Sequence, residues 1–241
     1  MLITATILSL VFGAIGFIVT KSNAQYILAG YNTIAEQDRQ AIDIDSYLKF
    51  FKRFHLVLAF SLIGGVWLLS LINNNWASLF MTVYPLGAYL YFLIKGTSIQ
   101  KGSIQQKSGV YLGGSILVIV ITVLLISSLS DYKSSELKLN GQTLEITGSY
   151  GFTLNKPEIY QQGLVDQLPL IAYKANGFAA GDYAKGRFKT KDGRTIWLFV
   201  NKKSRPFLLI KSTKGDIYYN HDELSLQVIS QNIARWLKTE R

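Results

Sequence analysis

The chain has no cysteine among its 241 residues, which removes disulfides, thiolate metal ligands and cysteine nucleophiles together. Histidine occurs twice, as His55 and His221, too thin a supply for an imidazole-based metal centre or catalytic dyad. Acidic residues are also in deficit, 15 against 25 Lys and Arg, for a net charge of +10. The most informative lack is local. Residues 2–20, 54–72, 76–94 and 110–129 contain no Asp, Glu, Lys or Arg at all, so an intramembrane proton relay has little to be built from there.

Each of these runs is long enough to cross a hydrocarbon core of ~30 Å, which takes about 20 helical residues. In lipid the backbone must satisfy its own hydrogen bonds, and without strand-like alternation the runs are expected to be helices. The first basic residue, Lys21, follows the first run instead of preceding it, so that run is expected to stay as a span and not to be cleaved as a secretory signal. Residues 1–130 are therefore expected to form a four-span helical bundle, residues 131–135 a linker and residues 136–241 a separate domain.

Short loops that carry Lys and Arg stay in the cytoplasm. Lys21, Arg39, Lys49, Lys52 and Arg53 lie between the first two runs, Lys95, Lys101 and Lys107 between the last two, and none in Asn73-Asn74-Asn75. The expected topology puts the N-terminus and the C-terminal domain outside the cell membrane. In the first loop Thr33 and Glu36 have capping-box spacing. Residues 33–54 are read either as an interfacial helix or as an extension of the second span. Trp67 and Trp76 flank the triple-Asn turn as interfacial anchors. Pro85 falls inside the third run, and Gly109 and Gly113 form a small-xxx-small pattern expected to pack within the bundle.

Beyond residue 135 the pattern turns to strands. Asn140-Gly141 between residues 137–139 and 143–147 signals a hairpin with positive φ at its turn. Further strands are expected at 159–164, 170–175, 185–190, 195–200, 207–211 and 216–219, with tight turns at Asp192-Gly193 and Lys214-Gly215. A final helix capped by Asn220 or Asp222 and ending near Lys238 carries an apolar stripe of Leu224, Val228, Ile229, Ile233, Trp236 and Leu237.

This order of elements, with Gly148-Ser149-Tyr150-Gly151-Phe152, Leu168-Pro169, Asn176-Gly177-Phe178, Gly186-Arg187-Phe188 and Trp197-Leu198-Phe199-Val200-Asn201, resembles the bacterial pleckstrin-homology-like domains. That resemblance implies an α+β domain, a bent β-barrel of about seven strands capped by one C-terminal helix, of a kind that binds lipid head groups, peptides or proteins. Ala29-Gly30-Tyr31-Asn32-Thr33 resembles the signature of a small family of bacterial membrane proteins of unknown function, over residues 1–96. Neither resemblance implies a catalytic residue or a cofactor.

Lys185, Arg187, Lys189 and Lys191 fall on every second position of an expected strand, so their side chains leave one face about 7 Å apart. The row is a candidate contact for anionic head groups or an anionic polymer; the alternative is a solvated face with Phe188 turned inward. Asn176–Gly181 is read as a long turn or bulge, since it lacks the residues of a nucleotide-binding loop. The expected function is recognition and not catalysis. Helices in the bacterial plasma membrane would hold an extracytoplasmic binding module near membrane lipids and a membrane-proximal protein or anionic polymer, with no role for nucleic acid. The alternative is a small transporter or channel component with a regulatory domain.

Overall fold

The computed structural model describes residues 1–27, 43–100 and 104–239. Its contacts divide the chain into two units, residues 1–126 and 127–241, close to the expected division at residue 130. The 29–33 motif, the Thr33–Glu36 capping box and Lys101 lie outside the described residues.

The first unit is helical: α1 (Leu2–Ile18), a single turn at Ala24–Ile27, α2 (Ile44–Ile72), α3 (Asn74–Gln100) and α4 (Ile104–Asp131), whose last turn belongs to the second unit. Among the described residues three helices are long and apolar enough to cross a membrane, and α1 is a shorter apolar helix of 17 residues. The count of four full-length spans is thus three plus a short one, because Val19 is extended and ends α1 early. From Ile44 onward α2 is one continuous helix, capped by Asp43, whose carboxylate accepts the Ser46 N–H at 3.0 Å. Only Asn73 separates α2 from α3; its side-chain oxygen accepts the N–H groups of Asn75 (2.8 Å) and Trp76 (3.3 Å), satisfying donors that a helix start leaves free.

Small residues bring α1 against α2. A Cβ added to Gly16 would lie 3.1 Å from the His55 Cβ, and one on Gly13 3.7 Å from the Ala59 Cβ. Ala5, Leu62, Val66 and Ala77 form the buried core at one end, and Val19, Ala24, Tyr47 and Phe51 at the other. Pro85 lies within α3, which runs through it. Gly109 and Gly113 do not pack within the bundle as expected: a Cβ on either would meet nothing within 4 Å. No residue from 108 to 130 is buried, so α4 leaves much of its apolar surface open, although a Cβ added to Gly114 would lie 3.5 Å from Leu90 of α3.

The second unit holds nine strands in two sheets, and the helix α5 (Leu226–Lys238). The small sheet is an antiparallel meander of β1 (Leu137–Asn140), β2 (Thr143–Ile146) and β3 (Phe152–Asn155). The larger has the order β4-β8-β9-β7-β6-β5, from β4 (Ile159–Val165), β5 (Ile171–Ala180), β6 (Tyr183–Thr190), β7 (Thr195–Asn201), β8 (Phe207–Ser212) and β9 (Asp216–Tyr219). β7 and β9 run parallel and every other pair antiparallel. The nine strands in a 3 + 6 arrangement replace the expected barrel of about seven.

The edge strands of the large sheet, β4 and β5, are joined by five residues, 166–170. A flat six-stranded sheet would hold its edges about 24 Å apart, more than the roughly 21 Å that such a connection spans. The sheet therefore curls, although β4 and β5 are not paired with each other. One apolar cluster, including Phe188, Leu198 and Phe207, takes Leu168 of that connection against it; the other, including Phe199, Leu208 and Tyr219, is covered by Leu144, Ile146 and Leu154 of the small sheet and by Leu226 and Ile233 of α5. Alternation along β7 feeds both: Ile196, Leu198 and Val200 face the first, Trp197 and Phe199 the second. Gln162 of β4 clasps Ser230 of α5 through two hydrogen bonds of 2.8 and 3.3 Å.

Candidate binding surface

β6 carries Lys185, Arg187 and Lys189 of the candidate row, while Lys191 falls in the turn that follows it, and the structure splits the row further. Lys185 is only 5% exposed, whereas Arg187 and Lys191 are exposed and Lys189 half-buried. Phe188 is buried on the opposite face, as expected. The row of four surface cations is thus corrected to three, because the last turn of α4 covers Lys185: its ammonium donates to the Ser130 carbonyl at 3.5 Å, while Tyr132 packs edge-on against Phe178, the residue opposite Lys185 in the β5–β6 register.

Around Lys185 lies a polar cluster centred on Asp222. One Asp222 oxygen accepts from the Ser134 hydroxyl (2.6 Å) and the Tyr183 phenol (2.5 Å), and the other from the Asn201 amide (2.7 Å). Ser134 Oγ in turn accepts the Asp222 backbone N–H at 3.0 Å. Burial works to raise the Asp222 carboxyl, but the three side-chain donors outweigh it and hold the group below its usual value. Burial, then the hydrogen bond to Asp222, pushes the Tyr183 phenol well above the ordinary tyrosine range. Burial lowers the Lys185 ammonium, against the pull of Asp131 and Asp222. This arrangement ties β6, β7 and the segment after α4 to one carboxylate through three side-chain donors.

Residues 131–135 therefore do not act as a free linker. Asp131 and Ser135 are buried, Ser134 bonds to Asp222, and the Tyr219 hydroxyl donates to the Ser135 carbonyl at 2.8 Å. Neither expected helix cap serves as one. Asn220 instead ties β7 to the following loop, donating to the Asn201 and Ser204 carbonyls at 2.8 Å each, and the N-cap of α5 is Ser225.

The surface left open lies across the β5–β6 pair. Tyr173 stands opposite Lys189, and Asn176 opposite Arg187, which faces Trp197 on β7. Tyr173 is 60% exposed, and Asn176 and Arg187 are also exposed. The Lys189 ammonium donates to the Gly193 carbonyl at 3.3 Å. Arg194 is paired instead, with Asp192 at 2.8 Å and Asp216 at 3.3 Å. One aromatic ring, one amide and two cations thus share a sheet face beside the outer edge of β5. Sequence reading missed Tyr173 and Asn176, because their places beside the cations depend on two register shifts in the β5–β6 pair.

Asn176–Gly181 is strand for most of its length, not a long turn. Gly177 pairs with Gly186, both at positive φ, and a Cβ on Gly177 would sit 2.1 Å from the Lys185 carbonyl oxygen. Only glycine fits this crossing. Lys202 and Lys203 brace the turn beyond it, Lys202 donating to the Gly181 carbonyl at 2.8 Å and Lys203 pairing with Asp182 at 3.1 Å.

The histidines have local duties. His55 Nδ1 donates to the Phe51 carbonyl at 2.8 Å and its Nε2 meets the Tyr89 hydroxyl at 3.2 Å, within a cluster of aromatic rings that includes Phe54 and Phe92. His221 Nδ1 accepts the N–H groups of Glu223 and Leu224 at 3.1 and 3.2 Å, shaping the approach to α5.

No curated protein and no solved structure matches the chain. Over residues 6–101, which take in α1 to α3, the chain is similar to a family described as a domain of unknown function, DUF3784.

Proposed function

We propose that this chain is a multi-pass protein of the bacterial plasma membrane whose helices anchor a non-enzymatic, extracytoplasmic binding module. Three long apolar helices support the membrane assignment. At ~1.5 Å per residue α1 reaches about 25 Å, the short end of what spans a bilayer; counting it makes four spans, and the basic loops then favour an extracytoplasmic second unit. A helix packed on a curled sheet is the feature shared with a pleckstrin-homology-like plan, while the parallel β7–β9 pair is not part of the expected likeness. The binding role rests on the surface and not on the fold.

The observation that carries it is the Tyr173, Asn176, Arg187 and Lys189 face beside the free edge of β5. It suits an extended acidic segment of a membrane-proximal protein, whose backbone meets the edge while its carboxylates meet the two cations. The test is photo-crosslinking in intact cells, with a benzophenone amino acid replacing Tyr173 or, as a control, Tyr160 on β4. The reading predicts a discrete adduct at Tyr173, absent at Tyr160 and abolished by Arg187→Glu with Lys189→Glu. Identical adducts at both positions, or an adduct indifferent to the charge reversal, would contradict it.

A further inference from the structure

The first unit carries a feature that anchoring does not use. Lys49, Lys52 and Arg53 sit at i, i+3 and i+4 on α2, and on the same helix face Leu56, Val57 and Phe60 follow one to three turns on. Together these residues line an open cleft of about 560 Å³. Against α1, the close approach at Gly13 and Gly16 leaves a second cleft of about 320 Å³, whose walls include Leu10, Gly13, Ala14, Phe17, Ala59 and Phe60. Leu56 and Phe60 border both clefts. A third cleft, of mixed lining and bounded by Phe17, Thr20, Asp45, Lys49 and Lys52, continues the path at the charged end.

The parts match one chemistry. None of the three cations forms a salt bridge among the described residues; the ion pair at this end is Lys21 with Asp45, at 2.8 Å. The Lys52 ammonium lies 4.1 Å from the centre of the Phe17 ring, which places charge and apolar wall side by side. From Arg53 to Ile63, at the far end of the second cleft, α2 rises about 15 Å, half the ~30 Å hydrocarbon core and so the depth of one leaflet. In the wall of that cleft Ser9 Oγ is the one buried side-chain oxygen among the described residues with no hydrogen-bond partner. The helices have left this seam unfilled by their own side chains.

We propose that the α1–α2 seam is a binding site for an anionic phospholipid of the surrounding bilayer, with its phosphate on Lys49, Lys52 and Arg53 and one acyl chain in the cleft between Phe17 and Phe60. A zwitterionic lipid would fill the cleft but leave the cationic cluster short of counter-charge. A soluble anion would meet the cations and leave the cleft empty.

Native mass spectrometry of the delipidated full-length protein tests this, titrating phosphatidylglycerol against phosphatidylcholine of the same acyl chains. The expected preference for phosphatidylglycerol is roughly tenfold or more. It disappears in Lys49→Ala with Lys52→Ala and Arg53→Ala. Ala14→Trp, at an exposed position in the cleft wall, weakens retention of both lipids and leaves the preference intact. Glycerol phosphate, which has the anion without the chains, does not displace the lipid. Equal retention of the two lipids by the native protein would overturn the proposal, as would an unchanged preference in the triple variant or effective displacement by glycerol phosphate. Should the triple variant fail to fold, the native titration and the displacement arm decide alone.

Discussion

The two units differ in the reach of their hydroxyl hydrogen bonds and, more sharply, in which apolar groups they cover. In the helical unit hydroxyls mostly turn back on their own helix: Thr6 donates to the Leu2 carbonyl, Ser61 to Val57, Thr82 to Ser78 and Thr122 to Val118. In the sheet unit some reach far along the chain, Ser134 to Asp222 and Tyr219 to Ser135, while others close tight turns, Thr190 to Arg194 and Ser212 to Gly215. Apolar exposure is reversed as well, with Ile3, Phe60, Ile72 and Tyr111 left open on the helices while Leu208, Ile210, Ile217 and Tyr219 are fully enclosed in the sheets. A unit bathed in lipid has no water for its stray donors and nothing to gain by hiding leucines. A unit in water gains stability by hiding them.

That contrast can be broken most sharply at the Gly177–Gly186 crossing. Gly177→Ala forces a Cβ against the Lys185 carbonyl oxygen at a positive φ, and should destabilise the sheet unit by about 3 kcal/mol. In limited proteolysis of the full chain, cleavage should appear throughout the sheet unit and spare the helices. Next in size is Asp222→Ala, which leaves the Tyr183, Asn201 and Ser134 donors without their acceptor. About 2 kcal/mol should be lost, and Asp222→Asn, which keeps an acceptor, should lose less; thermal unfolding followed by Trp197 fluorescence would read both.

The same carboxylate sets a pH dependence. Its folded value lies below the ordinary 3.8, so the unfolded chain takes up the proton first as pH falls. The stability Asp222 contributes is complete above the ordinary value and is lost as pH falls through the folded one. Lys185 acts at the other end: its folded value lies below 10.5, so between the two values the unfolded chain binds more protons and stability rises with pH. Asp222→Asn should flatten the acid limb, and Lys185→Met the alkaline one, in unfolding midpoints measured across pH. Smallest of all is Ser9→Ala in the helices. It removes a buried hydroxyl that has no partner and should leave stability in detergent unchanged or raise it by up to about 1 kcal/mol.

Much of this contrast was legible in the chain. Charge-free runs announced the helices, and β9 was read at residues 216–219, its observed bounds, because Lys214-Gly215 marks its start. The first hairpin was read correctly, but its loop is Gly141-Gln142, with Asn140 already paired to Thr143; turn residues locate a hairpin to within a position. The strand β3 was missed although Phe152-Thr153-Leu154-Asn155 alternates apolar and polar, since four residues after a glycine-rich stretch are too short a run to stand out. At the binding surface, spacing put Lys185, Arg187, Lys189 and Lys191 on one face, but local periodicity holds no information about a cover supplied from Ser130 and Asp131. Gly177 was read within a turn or bulge and Gly186 within a strand, yet together they mark where two backbones approach closely, a matter of register and not of local conformation.

The account turns on a helical anchor holding the sheet unit outside the cell, and the cysteine-free chain allows this to be measured directly. Single cysteines would replace Lys191 on the sheet unit and Lys95 near the end of α3, with labelling of intact cells by a membrane-impermeant maleimide. The account predicts labelling at Lys191 in intact cells and at Lys95 only after lysis. Labelling at Lys95 in intact cells, with Lys191 protected until lysis, would contradict it and place the sheet unit in the cytoplasm.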